Sequence, residues 1–291
     1  MKLFLTGASG LLGHALAASF LDAGWDVHMS AHARRPKDKR SHIHEVDLSQ
    51  IHVLGSLLED LQPEAIINAA ALTVPSDCEK NPERSKALNL QLPEALARYA
   101  SRAEAHLIHY SSDMVFDGKG GNYTPACSTS PTNLYGRHKL ASENRVQELC
   151  PRACVIRLPL LMGNSPAGTR SVHEALWKAW SQREPTPLFE DEWRTPVSAN
   201  NVACLTKELL SKPHIQGLYH WAGSTHINRW KMGNLIAEKL HVPKNLLRRT
   251  LARDFPRFKD RPLNLTMDCS KLKALVQTEP APFEMQLAEL R

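Results

Sequence analysis

Lys2-Leu3-Phe4-Leu5-Thr6-Gly7-Ala8-Ser9-Gly10-Leu11-Leu12-Gly13 is the stretch on which the fold turns. Residues 2–6 form a short apolar run with β character, as a buried parallel strand would. Three glycines follow at three-residue spacing, and then Leu12, Leu16 and Phe20 recur at helical spacing until Gly24 stops the helix. Glycines between a strand and a helix allow a tight turn, close approach of a pyrophosphate to the backbone, and close packing of helix on sheet. The helix N-terminus adds free N–H groups and about half a positive charge. The predicted dinucleotide cradle is therefore Thr6, Gly7, Ser9, Gly10, Leu11, Leu12 and Gly13. The same segment loosely imitates a secretory leader, but a leader core is rarely punctuated by glycine and followed at once by His14.

Working outward, strands are predicted at 25–29, 42–46, 65–68, 106–111 and 154–158, with helices at 51–61, 82–99 and 132–148. Pro93 forces a break or a new first turn in the second of these helices. Alternation of this kind builds right-handed βαβ units into a parallel sheet. The expected fold is α/β, a doubly wound NAD(P)-binding sheet over residues 1–158. Past Pro159 the rhythm changes. Helices are expected at 171–182 and 200–211, a strand at 218–222, and a helix capped by Asn228. A smaller substrate-binding lobe over 159–291 follows, with segments near 197–222 rejoining the first.

The composition fits a folded chain: 291 residues, 42% hydrophobic and 23% charged, with no run long enough for a membrane span. A net charge of +6 suits an anionic small ligand and lacks the concentrated basic face of a nucleic-acid binder. The basic runs at 32–40 and 247–249 read as solvated loops. Six scattered cysteines with no CxxC pair indicate a reduced, cytoplasmic chain without a zinc set. His42 and His44, two apart on a strand, are expected to carry no metal. Trp177, Trp180 and Trp221 are expected to pack in the core.

The end of the second strand selects the cofactor. A carboxylate there would hold the ribose hydroxyls of NAD, but this chain has Met29-Ser-Ala-His32 and then Arg34 and Arg35. Arginine forks match a 2′-phosphate, so NADP(H) is expected. Asp47, followed by Leu48, is placed to border the adenine.

Tyr135 and Lys139 stand four apart on a helix and share one face. A free tyrosine ionises near pH 10, and a shift of about 3 units downward, worth about 4 kcal/mol, would bring it near the working pH. A neighbouring ammonium favours that direction. Ser112 leaves the fifth strand at its carboxyl end, where open α/β sheets bind ligands. Its hydroxyl can bond the oxygen that Tyr135 protonates. Asp113 reads as a structural acceptor beside it. Arg194 and Arg261 sit in loops that either face a substrate phosphate or form salt bridges between the lobes.

Thr6-Gly-x-x-Gly-x-x-Gly13, Asn68-Ala-Ala-Ala71, Ser111-Ser-Asp113 and Tyr135-x-x-x-Lys139 together resemble the extended short-chain dehydrogenase/reductases. Ser111-Ser-Asp-Met-Val-Phe-Asp-Gly118, Pro131-Thr-Asn-Leu-Tyr-Gly-Arg-His-Lys139 and Arg261-Pro-Leu-Asn-Leu-Thr-Met-Asp-Cys-Ser-Lys271 resemble the dTDP-4-dehydrorhamnose reductase (RmlD-like) branch. The chain is also similar to the regulatory beta subunit of methionine adenosyltransferase, through Gly24-Trp25, Arg34-Arg35, Tyr219-His-Trp221 and Met267-Asp-Cys-Ser-Lys-Leu272. The resemblance implies that Ala69, Ala70 and Ala71 line the path to the nicotinamide ribose. It also implies that Lys139 holds that ribose and tunes Tyr135, and that Ser112 binds the substrate carbonyl. Met114 stands where the branch carries Tyr, and Leu160 where it carries Trp; both places border the sugar. Dehydratase relatives pair Asp with Glu at 113–114, and Met114 cannot serve as that Glu. The expected activity is NADP(H)-dependent reduction of a keto group on a nucleotide-linked sugar. The alternatives are an NADP-binding regulatory subunit of a partner enzyme and a nucleotide-sugar epimerase, with a homodimer or a partner enzyme as the possible assembly.

Overall fold

A computed structural model describes residues 1–31, 40–255 and 261–290. Its centre is a seven-stranded sheet: β1 (Lys2–Thr6), β2 (Asp26–Ala31), β3 (His42–Glu45), β4 (Ala65–Asn68), β5 (His106–Ser112), β6 (Cys154–Leu158) and β7 (Gly217–His220). The order is 7-6-5-4-1-2-3 and every pairing is parallel. The order turns back at β1 and β4, which is where a doubly wound sheet opens its ligand crevice.

Period-two alternation splits the strands between two cores. Leu3, Leu5, Met29, Ile67, Ile108 and Ile156 face α1 (Leu11–Asp22) and a later helix, Ala199–Leu210. Phe4, Ile66, Leu107 and Val155 face α2 (Ile51–Leu61), α3 (Leu92–Arg102) and α4 (Leu134–Leu149). Both faces are apolar because both are covered, as parallel sheets require. Pro93 lies in the first turn of α3, directly after a π-helical stretch at Ala87–Gln91, so the predicted break is real.

The glycine turn shows why small residues are needed there. Gly7 has φ +76°, and a Cβ on it would lie 2.5 Å from the Ala69 carbonyl oxygen. A Cβ on Gly13 would lie 2.1 Å from the Gly7 carbonyl oxygen, which fixes how closely α1 seats on the turn. Gly13→Ala is expected to cost about 1–3 kcal/mol through overpacking and to weaken dinucleotide binding. Thermal unfolding and a cofactor titration check this, and an unchanged Tm would contradict it.

The remaining chain packs a smaller cluster around Met162, Trp180, Leu188, Ile236 and Phe283. Asn228 caps the helix Arg229–Lys239 by accepting the Lys231 N–H at 2.8 Å, as predicted. Leu247–Thr250, expected as a solvated loop, instead forms a strand parallel to Thr186–Phe189. Its partner is sixty residues upstream, so local charge pattern misled the reading. Trp180 and Trp221 are buried, whereas Trp177 is 49% exposed, against expectation. Among the described residues no helix is long and apolar enough to cross a membrane.

Candidate active site

A cavity of about 580 Å³ opens at the carboxyl ends of the strands. It runs from the turn at Gly7, Ser9, Gly10, Leu11, Leu12 and Gly13, past Asp47 and Leu48, then Ala69, Ala70 and Ala71. It ends at Ser112, Asp113, Met114, Tyr135 and Lys139, with Leu160, Arg194 and Arg261 on the far wall. Residues spread over the whole chain are thus brought to one cleft. Thr6 lies behind the wall rather than in it: its hydroxyl donates to Asn68 Oδ1 at 2.7 Å and accepts the Ala70 N–H at 3.2 Å. Arg34 and Arg35 lie outside the described residues.

A buried ion pair sets α4 against the sheet. Arg157 on β6 grips Glu143 of α4 through two bonds, Nε to Oε1 at 2.9 Å and Nη2 to Oε2 at 2.7 Å. The Ser111 hydroxyl of β5 also donates to Glu143. The three elements that carry Ser112, Tyr135 and Lys139 or flank them are therefore locked together. Asn133 caps α4 by accepting the Gly136 N–H at 2.9 Å.

Lys139 is buried and donates from Nζ to the Tyr110 carbonyl at 2.6 Å, with His109 Nε2 at 3.4 Å. Burial lowers its pKa to about 8. His109 is also driven well below its ordinary value, by burial first and then by the Lys139 charge. The expected depression of Tyr135 is not present. Burial pushes the phenol above its usual value, the Ser112 hydroxyl opposes that, and the Asp113 charge adds to it. The Lys139 ammonium is directed at the Tyr110 carbonyl. Asp113 accepts from Ser112 Oγ at 3.1 Å, and burial raises its carboxyl to about 6 despite Arg194.

On the far wall, Glu192 is fully buried and collects three guanidiniums. Arg261 reaches it at 2.7 Å, Arg229 at 2.8 Å and Arg194 at 3.1 Å. Burial alone would raise Glu192, but the three charges outweigh it and hold the carboxyl far below the usual range. Of the two readings of Arg194 and Arg261, the structure shows the ion pair, and it does so at the cleft itself. Arg194 also donates to the carbonyls of Pro262 and Leu263, both at 3.0 Å.

Some lining residues escaped the sequence reading. Arg84, Arg170 and Arg229 enter from distant segments with no motif to mark them. Ser30 lines the cavity at the end of β2, with a buried hydroxyl that has no partner among the described residues. Arg229 Nη1 is likewise buried without a partner among them.

The family described as RmlD substrate binding domain matches residues 1–291. The chain belongs to that family. Among RmlD-type relatives, the methionine adenosyltransferase 2 subunit beta of Rattus norvegicus is 32% identical over 294 residues, covering 99% of this chain and 86% of that one. The probable low-salt glycan biosynthesis reductase Agl14 of Haloferax volcanii is 32% identical over 293 residues, covering 100% and 97%. The solved structure of a hypothetical dTDP-4-dehydrorhamnose reductase from Sulfolobus tokodaii superposes with TM-score 0.87 at 26% identity, covering both chains completely. A dTDP-4-dehydrorhamnose reductase from Bacillus anthracis, solved in complex with NADP, shares the fold with TM-score 0.85 at 21% identity, covering 99% and 97%. The doubly wound α/β fold expected from the glycine turn and the alternating elements is the one present.

Proposed function

We propose that the chain is an NADP(H)-dependent reductase of a keto group on a nucleotide-linked sugar. The observation that carries this is the meeting of Ser112, Tyr135 and Lys139 in the cavity that the glycine turn opens. The cavity fits the cofactor: α1 begins with no side-chain cap and no acidic residue in its first turn, leaving its N–H groups to phosphates. The unpartnered Ser30 hydroxyl stands at the adenosine end. Arg34 and Arg35 would hold the 2′-phosphate, and Asp47 with Leu48 would border the adenine. Ala69, Ala70 and Ala71 would line the ribose path. Bound there, NADPH supplies a hydride to the keto carbon.

The chain's own residues handle the oxygen and its proton. Ser112 Oγ bonds the carbonyl oxygen and aims it at Tyr135. Tyr135, held protonated by burial, donates its proton to that oxygen, so the carbonyl becomes a secondary alcohol. Lys139 lies one turn away and would hold the nicotinamide ribose. Met114 and Leu160 present apolar surface at the sugar end, and Arg229 Nη1, which has no partner among the described residues, would be open to an anionic handle. In this reading residues 1–158, rejoined by 197–222, form the cofactor lobe and the rest the substrate lobe.

NADPH consumption matched one-to-one by reduction of a supplied keto-sugar nucleotide is the direct test. A sugar that changes configuration without net NADPH loss would identify an epimerase instead. Arg34→Ala with Arg35→Ala is expected to weaken NADPH at least about tenfold, since charge-assisted bonds contribute about 1.5–3 kcal/mol each. NADH should be little affected. Equal loss for both cofactors would remove the phosphate assignment. A second reading rests on the 32% identity to a methionine adenosyltransferase subunit beta. Tight NADP binding without turnover of any keto-sugar, together with a stoichiometric complex with a methionine adenosyltransferase catalytic subunit, would favour it.

A further inference from the structure

The outer edge of the sheet carries a cluster that does not line the cofactor cavity. β2 and β3 pair with His28 opposite His42 and Ser30 opposite His44. Alternation therefore places Asp26, His28, His42 and His44 on one face. Among the described residues, Asp26, His28 and His42 form a group whose ligand atoms all lie within 4.8 Å of one another. Asp26 Oδ1 is 3.1 Å from His28 Nε2 and 3.4 Å from His42 Nε2. Zinc bonds of ~2.0–2.1 Å in a tetrahedron set neighbouring ligand atoms about 3.3–3.4 Å apart, so the Asp26–His42 separation matches and the Asp26–His28 separation is short by a few tenths of an ångström.

The fourth residue supports the tautomer that a metal needs. His28 Nδ1 lies 2.9 Å from His44 Nε2. When His28 donates Nδ1–H to His44, its Nε2 lone pair is left pointing at the Asp26 carboxylate, as in imidazole ligands whose other nitrogen is hydrogen-bonded. Without an ion, the other tautomers satisfy the cluster: His28 and His42 donate Nε2–H to Asp26, and His44 donates to His28. Ion binding moves those two protons to Nδ1 of His28 and His42, and His44 shifts its own proton to Nδ1 so that its Nε2 accepts from His28. The His28 and His42 rings stack at 4.5 Å and 16°. His42 is 63% exposed, so it can turn about χ2 to bring its lone pair in line.

We propose that Asp26, His28 and His42 bind one divalent transition-metal ion of the zinc class, with His44 fixing the tautomer of His28. Two imidazoles and a carboxylate suit zinc and its neighbours rather than magnesium or calcium, which take oxygen. The ion would tie β3, held in the sheet among the described residues by β2 alone, to β2.

The test uses the full chain without an added histidine tag, stripped with a chelator and titrated with zinc sulfate in a calorimeter. One equivalent should bind, Tm should rise, and magnesium should give no heat. His28→Gln with His42→Gln should abolish that equivalent while leaving the metal-free Tm near that of the parent. The exposed His42→Ala alone serves if the double variant does not fold. His44→Gln should weaken binding about 10–100-fold. Absence of a stoichiometric zinc site, or a site that survives loss of His28 and His42, overturns the proposal. None of these readouts depends on turnover, so they stand apart from the reductase reading.

Discussion

Tyr135→Phe is expected to lower kcat for keto-sugar reduction by about 10²–10⁴-fold, the usual contribution of a positioned acid. NADPH affinity and Tm should stay close to those of the parent, because only a hydroxyl is lost and the ring still fills its buried site. The pH profile supplies a sign. Burial holds the phenol above its ordinary value, so the acid form persists through neutrality and favours reduction. Lys139, lowered to about 8, loses its charge above that pH, and reduction should decline there. Oxidation of the alcohol needs the phenolate and should rise with pH up to about 8, where Lys139 titrates. Steady-state rates in both directions across pH 6–10 check this. Retention of full reduction by Tyr135→Phe would end the assignment of Tyr135 as the acid.

Glu192→Gln is expected to destabilise the fold by about 3–5 kcal/mol, because it removes one partner of a buried charge group. For a chain of this size a loss of 1 kcal/mol shifts Tm by roughly 2–4 °C, so the fall should be about 6–20 °C. The variant keeps the shape and part of the hydrogen bonding but removes the negative charge that Arg194, Arg229 and Arg261 share. The folded carboxyl is depressed, so its contribution is complete above the unfolded value of about 4.3 and is lost progressively as pH falls from there through the much lower folded value. The gap between parent and variant should therefore begin to narrow by pH 3.5 without closing. Calorimetric or circular-dichroism melts at pH 7 and pH 3.5 measure both effects, and a Tm change under 2 °C at pH 7 would contradict the prediction.

The first half of the fold was legible because its signals are local. The predicted bounds of α2, β4 and β6 match the structure, since apolar runs there are bounded by turn residues. The short strands Trp193–Arg194 and Ile227–Asn228 could not be read, because pairing across a loop, not residue preference, makes them strands. The candidate site was legible where spacing encodes geometry, as in the glycine turn and at Tyr135 and Lys139. It was not legible where burial decides. The Tyr-x-x-x-Lys spacing says nothing of the Lys139 bond to Tyr110, or of the burial that raises the phenol. Glu192 escaped notice because Arg194, Arg229 and Arg261 converge on it from three segments.

The helix Ala199–Leu210 shares with α1 the task of covering one face of the sheet. A growing polypeptide that has emerged only as far as β6 has made six of the seven strands, yet leaves that face partly bare. Synthesis must continue through β7 before the sheet can close. The nascent chain thus passes through an interval in which that apolar face meets solvent.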